Sequence, residues 1–188
     1  MAKKQFWIII DTETTNDNQV FDFGAIVVDR QGNIHSSCAI IVKDNMEKEL
    51  FSDPSGKSFW SKSYASQKKN NYMDMLEKGN RMMASVNAIN RWLEKVNAKY
   101  NPAMTAYNVA FDQSKCANTG IDLTIFNEVM AHFITGRNNH EPHTALEDAQ
   151  FFELPILLAV LNKRNWKDFT NKPYSWNAYQ VKNHFEAK

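Results

Sequence analysis

Phe6-Trp7-Ile8-Ile9-Ile10 is a continuous apolar run of strand-forming residues, the pattern of a central strand buried on both faces. It stops at the polar segment Asp11-Thr-Glu-Thr-Thr-Asn16. A second run, Val20 to Val28, ends in Asp29-Arg-Gln-Gly-Asn33, and a third follows from Ile34 to Val42. The glycine-containing link between them predicts a hairpin, so the chain opens with three antiparallel strands. Residues 43–80 show no sustained period and are punctuated by Pro54, Gly56 and Gly79. That length is unusual for a plain loop, so the segment is either functional or carries short helices. From Met82 the pattern clears: Met82, Val86, Ile89, Leu93 and Val96 step by four, three, four and three, the face of an amphipathic helix. Asn101-Pro102 ends it. Ala103 to Tyr107 predicts a short strand, a helix follows from Asn108, and Leu123, Phe126, Val129, Met130 and Phe133 predict a further helix over 122–133. A loop at 135–143 leads to a last long helix from Thr144 towards Lys163, in which Pro155 should produce a kink. Three strands followed by alternating helices and strands define a mixed α/β sheet.

Length and composition add bounds. The 188 residues, 43% hydrophobic and 23% charged, fit one globular domain over 1–188, with a polar insertion at 43–80 and an aromatic tail at 164–188. The net charge of +1 excludes a global polyanion-attracting field, so any nucleic-acid site must be a local patch. Cys38 and Cys116 form no CxxC pair, which argues against a disulfide framework or a thiolate zinc site. The apolar runs are short of the ~18 residues that span a bilayer. The five apolar residues before Asp11 are too few for a signal-peptide core. A cytoplasmic protein without a membrane partner is the expectation.

Acidic residues stand at three breaks between regular elements: Asp11 and Glu13 after the first strand, Asp112 early in a helix, and Asp148 early in the last helix. Each alone has a plain explanation, as a turn residue, a cap or a first-turn acid favoured by the helix dipole. Together, clustered carboxylates repel one another and normally hold a cation, and oxygen-only ligands suit Mg²⁺ or Mn²⁺ better than zinc. Asp-x-Glu on a strand is apt because alternate residues point to the same side. Thr144-Ala-Leu-Glu147 fits a capping box, which gives Glu147 a structural task and sets His143 on the loop just before the helix. A histidine beside a cation-bound water is suited to general-base work near neutral pH; as a lone residue it reads as a surface loop histidine, and neighbouring His140 could pair with it on a stray metal.

These residues resemble the DEDDh 3′-to-5′ exonucleases, the DnaQ-like branch of the ribonuclease H-like superfamily. Asp11-Thr-Glu13-Thr-Thr matches the first motif, Asn108-Val-Ala-Phe111-Asp112 looks like the second, and His143-Thr-Ala-Leu-Glu-Asp148-Ala is similar to the third. Phe23-Gly24-Ala25 is similar to the Ile-Gly-Ala of the family's second strand. The motifs come in the right order and the resemblance spans 6–161. Departures are Asn16 where glycine is frequent, Tyr107 in place of a common histidine, and no His-Gly-Ile-Thr-like segment after the third strand. The resemblance implies a ribonuclease H-like sheet and hydrolysis of phosphodiester bonds from a 3′ end, releasing nucleoside monophosphates. It implies two Mg²⁺ or Mn²⁺ ions about 4 Å apart. Asp11 would bridge both ions, Glu13 and Asp148 would serve the first, Asp112 the second, and His143 would take the proton of the attacking water. By the same analogy Thr14 contacts the terminal nucleotide.

Phe111 reads as core packing under the site, and Asn108 as a cap for the helix carrying Asp112. Residues 57–69 hold Lys57, Lys62, Lys68 and Lys69 with Phe59, Trp60 and Tyr64 and no acid. Cations with interleaved rings suit a single strand, through phosphate contacts and base stacking, although a solvated insertion whose rings cover the core has the same composition. The leading expectation is a DNA exonuclease acting on single strands. Alternatives are an RNA-trimming oligoribonuclease-like enzyme, a proofreading subunit that binds a polymerase or other replication partner through the tail, and a non-catalytic nucleic-acid-binding module on the same fold.

Overall fold

A computed structural model describes residues 5–15, 17–46, 63–131 and 144–162, with the side chains of 63–69 and 131 left aside. Six strands form one sheet: β1 (Phe6–Thr14), β2 (Val20–Asp29), β3 (Ile34–Val42), β4 (Met82–Ala84), β5 (Ala103–Ala106) and β6 (Val129–Ala131). Their order across the sheet is β4-β3-β2-β1-β5-β6. The first three strands pair antiparallel, and β4, β5 and β6 add in parallel to β3, β1 and β5. The helices are α1 (Ser63–Glu77), α2 (Val86–Tyr100), α3 (Val109–Thr119), α4 (Ala145–Glu147) and α5 (Leu154–Asn162), the last two joined by a π-helical stretch (Asp148–Glu153). This is the mixed α/β sheet, antiparallel then parallel, that the hydrophobic pattern predicts. Among the described residues no helix is long and apolar enough to cross a membrane.

The alternation of β1 sets up two cores. Ile8 and Ile10 point to the face covered by Ile89, Leu93 and Val96 of α2 and by Cys116 of α3. Trp7 and Ile9 point to the other face, where Ala149 and Leu157 pack. Burial on both sides explains why the first strand is apolar at every position from Phe6 to Ile10. The β2–β3 link closes as expected, with Gly32 at φ +87 and its amide donating to the Asp29 carbonyl.

Two expectations are corrected. Met82-Met83-Ala84 is not the first turn of a helix but an edge strand on β3; the helix begins only at Val86, because Met82 continues the helical spacing by chance while the segment that holds it is claimed by an open strand edge. Residues 122–131 form no helix. The Asp122 carboxylate accepts the Thr124 amide and hydroxyl, a local turn that competes with helix, and β6 then takes the free side of β5. Phe133 lies outside the described residues. Pro155 follows a π-helical stretch, Asp148–Glu153, so the last helix departs from regular α geometry in the turn before the proline. Within the 43–80 segment the described part holds a helical turn at 43–46 and α1.

Candidate active site

The site lies at the carboxyl end of β1. Asp11 and Glu13 follow Trp7 and Ile9 in the strand's alternation, so they face the helical segment that carries Asp148. One carboxylate oxygen from each of Asp11, Glu13 and Asp148 can be chosen so that all lie within 4.8 Å of one another. Such a group could hold a metal ion, and its all-oxygen donor set suits a hard cation. Asp112 is held on the opposite side of the strand, where its Oδ1 accepts the Thr12 hydroxyl at 2.9 Å. Thr12 alternates with the two acids, so its pairing explains why Asp112 is close to the trio without being part of it.

Electrostatics bind the four acids into one unit. Part of Asp11 is exposed, yet desolvation of its carboxyl raises its pKa well above the ordinary value, and repulsion from Asp148, Glu153, Asp112 and Glu13 raises it further. Asp112 is raised by burial first and by Glu153 second, with the Thr12 hydroxyl opposing. Glu153, 1% exposed, is therefore a fifth acid of the site. With i→i+5 bonding, residues five apart in the π-helical stretch lie nearly one above the other, so Glu153 shares the side of Asp148. It also accepts the Tyr107 amide at 3.1 Å and so fixes the turn between β5 and α3. Sequence reasoning passed over Glu153; a single carboxylate inside Phe151-Phe-Glu-Leu-Pro-Ile156 was the available signal, since such a group is rarely buried without a task.

The helical segment from Ala145 is seated by an arrangement other than the predicted capping box. Thr144 occupies the N-cap without a side-chain capping bond. Its amide donates instead to Asp148 Oδ2 at 2.8 Å, while Asp148 N donates back to the Thr144 carbonyl. Glu147 turns away to Arg81, whose guanidinium also binds Asp22 through Nε at 3.1 Å. Asp22 in turn accepts the Tyr72 hydroxyl at 2.9 Å and the Ala145 amide at 3.0 Å. This buried network ties β2 and α1 to the start of α4. The two flanking carboxylates push the Arg81 pKa above even its ordinary value, against the opposing effect of burial. Gly24 completes the seat: a Cβ there would lie 2.1 Å from the backbone of Ala145 and Leu146.

The remaining predicted residues are distributed as follows. Thr14 ends β1 at a register shift against β2, half-buried. Asn108 stands at the N-cap of α3 but makes no side-chain capping bond; its carbonyl accepts the Phe111 and Asp112 amides. Phe111 is not core packing: it is 39% exposed at the rim, with the Lys115 ammonium 4.9 Å from its ring centre. As the third residue of the helix, one before Asp112, it lies away from the strand whose Thr12 holds Asp112. His143, Lys57, Trp60, Lys62 and Asn16 lie outside the described residues, as does the tail at 164–188. Lys68 and Lys69 fall on α1, with their side chains outside the description. Compared with known proteins, the chain matches no protein-family model and no curated protein.

The raised carboxyl pKa values have a definite sign. Between the ordinary carboxylate range and the raised values, the folded metal-free protein holds protons that the unfolded chain has released. Its stability therefore falls as pH rises through that window, and is unpenalised below it. A divalent ion removes the penalty by neutralising the ionised group. Saturating Mn²⁺ is expected to raise the melting temperature by roughly 5–10 °C at pH 8 and by much less at pH 5, where protons compete for the same oxygens. Thermal melts with and without the ion check this; equal shifts at both pH values would show that the ion binds elsewhere.

Proposed function

We propose that this protein is a metal-dependent 3′-to-5′ exonuclease of the DEDDh type on a ribonuclease H-like sheet, cutting nucleic acid from its 3′ end, with single-stranded DNA the favoured substrate. The observation that carries the reading is the convergence of Asp11, Glu13 and Asp148, distant in sequence, within 4.8 Å at the end of the central strand. The Thr12-bound Asp112 beside them supports it.

On this reading Asp11, Glu13 and Asp148 would hold one Mg²⁺ or Mn²⁺ ion, and Asp112 would serve a second together with Asp11. Bound there, the ions supply an acidified water and charge stabilisation for the leaving 3′ oxygen. The protein's part is to hold the carboxylates ionised and close despite their repulsion. The Thr144 amide orients Asp148, the Thr12 hydroxyl orients Asp112, and the Tyr107 amide restrains Glu153 behind them. His143, three residues before Leu146, is the proposed acceptor of the water's proton.

The test uses 5′-labelled DNA and RNA strands of matched sequence with Mg²⁺, Mn²⁺ or chelator. A metal-dependent ladder shortening from the 3′ end is expected, and its sugar preference chooses DNA or RNA. Asp148→Asn should lower the rate by at least about 10²-fold while leaving the circular dichroism spectrum unchanged. A variant as active as the wild type would end the assignment.

A further inference from the structure

Helix α3 is fastened along the β1–β2 turn by three polar contacts one turn apart. Thr12 donates to Asp112, Lys115 Nζ donates to Asn18 Oδ1 at 2.6 Å, and the Val20 amide donates to the Thr119 hydroxyl at 2.8 Å. Lys115 is the middle contact. On the helical wheel it falls between Phe111 and Asp112, being i+4 from the first and i+3 from the second. It therefore stands one helical turn beyond Asp112, reaching the turn that follows Glu13 and Thr14 through Asn18, beside an exposed ring.

The partner it holds there is informative. Asn18 carries no charge, and its backbone is left-handed at φ 65, a conformation that asparagine tolerates better than most residues. Two other cations are neutralised by carboxylates, Arg81 by Asp22 and Glu147 and Lys78 by Asp74, whereas Arg30, like Lys115, holds a neutral partner, the Leu161 carbonyl, but far from the acids, at the end of the last helix. Among the described residues the Lys115 ammonium is bonded to a neutral amide and faces a ring. The site also needs such a charge. Even the two divalent ions that the nuclease reading calls for would stand among five acids, Asp11, Glu13, Asp112, Asp148 and Glu153, and a polyanion must approach them. We propose that Lys115, placed by Asn18 and Phe111, binds one backbone phosphate of the nucleic-acid strand at the mouth of the acid site. The proposal rests on the nuclease reading for the identity of the strand.

The probe is a 5′-fluorescein oligodeoxythymidylate, followed by anisotropy in Ca²⁺ over a range of KCl, with strand length checked on a gel. Lys115→Gln should weaken binding about fivefold at low salt and reduce the salt slope by about 0.7, the share of one single-strand phosphate. Lys115→Arg should restore both, whereas loss of a purely structural contact would leave the slope unchanged. Lys99→Gln, beside Tyr100 at the opposite end of β1, should leave both unchanged. Oligonucleotides carrying a single uncharged methylphosphonate linkage locate the contact: at one position the wild type should fall to the level of Lys115→Gln, with no further loss in the variant. An unchanged salt slope in Lys115→Gln, or additive losses at every linkage, would overturn the proposal. Lys115-dependent binding by a protein that cuts neither DNA nor RNA would sustain it while the nuclease reading fell. A wild type that binds no oligonucleotide would overturn both.

Discussion

Arg81→Met is expected to destabilise the fold by about 3–5 kcal/mol, the usual result of stripping the partner from buried charge. Arg81 is fully buried in its side chain, as is Asp22, and Glu147 is nearly so. Methionine fills much of the volume but leaves two carboxylates facing each other without a cation. The loss comes from stranded charge more than from a missing attraction. Neutralising the partners as well, with Asp22→Asn and Glu147→Gln in the same chain, should therefore recover a substantial part of it. Urea unfolding of the single and triple variants measures both effects. A triple variant no more stable than Arg81→Met would show that packing, not charge, sets the cost.

Gly24→Ala should cost about 3 kcal/mol or more, at the upper end of overpacking effects, because the obstacle is backbone. Gly24 pairs directly with Asp11 across the β1–β2 ladder, so a side chain there would share Asp11's face of the sheet. That space is filled by the Ala145–Leu146 peptide at 2.1 Å. No rotamer change can clear it; α4 must lift off the sheet, carrying Asp148 away from Asp11. The variant should thus lose metal-induced thermal stabilisation along with global stability. Gly79→Ala is the control. A Cβ there meets nothing within 4 Å, so the only penalty is the left-handed backbone at φ +74, roughly 1–2 kcal/mol. Denaturant midpoints that fall equally in the two variants would overturn this account.

The parts of the fold that were legible in the sequence are those governed by local periodicity. β1 to β3 each hold a strand-length, largely apolar stretch, and α2 announces itself through Ile89, Leu93 and Val96, all buried where the spacing puts them. The acids of the site were legible through motif resemblance and strand alternation. What escaped depends on contacts between distant residues. The β4 strand exists because β3 offers an open edge, and Met82 fits a helical face equally well. Phe111 looked like core because an aromatic next to a buried acid has no sequence signature of exposure. Asp22, Arg81 and Glu147 are 59 to 125 positions apart, read from Arg81 to Asp22 and from Asp22 to Glu147, and nothing local joins them. Glu153 was hidden by the assumption of 3.6 residues per turn.

That assumption fails at one place, with a consequence for how the last helix divides its labour. The wide turn at Asp148–Glu153 acts as a phase slip, a small rotation inserted between two stretches of otherwise regular helix. Upstream of it, azimuth is dictated by polar seating: the Asp148 carboxylate on the Thr144 amide, Glu147 on Arg81. Downstream, azimuth is dictated by Ile156, Leu157 and Ala159 packing into the apolar interior. An uninterrupted α-helix would force both demands onto one angular register, and any adjustment in the apolar half would be transmitted as a twist of the acid. The slip works as a rotary coupling with play in it, so the hydrophobic half of the helix can drift in sequence and packing while Asp148 keeps its bearing on Asp11.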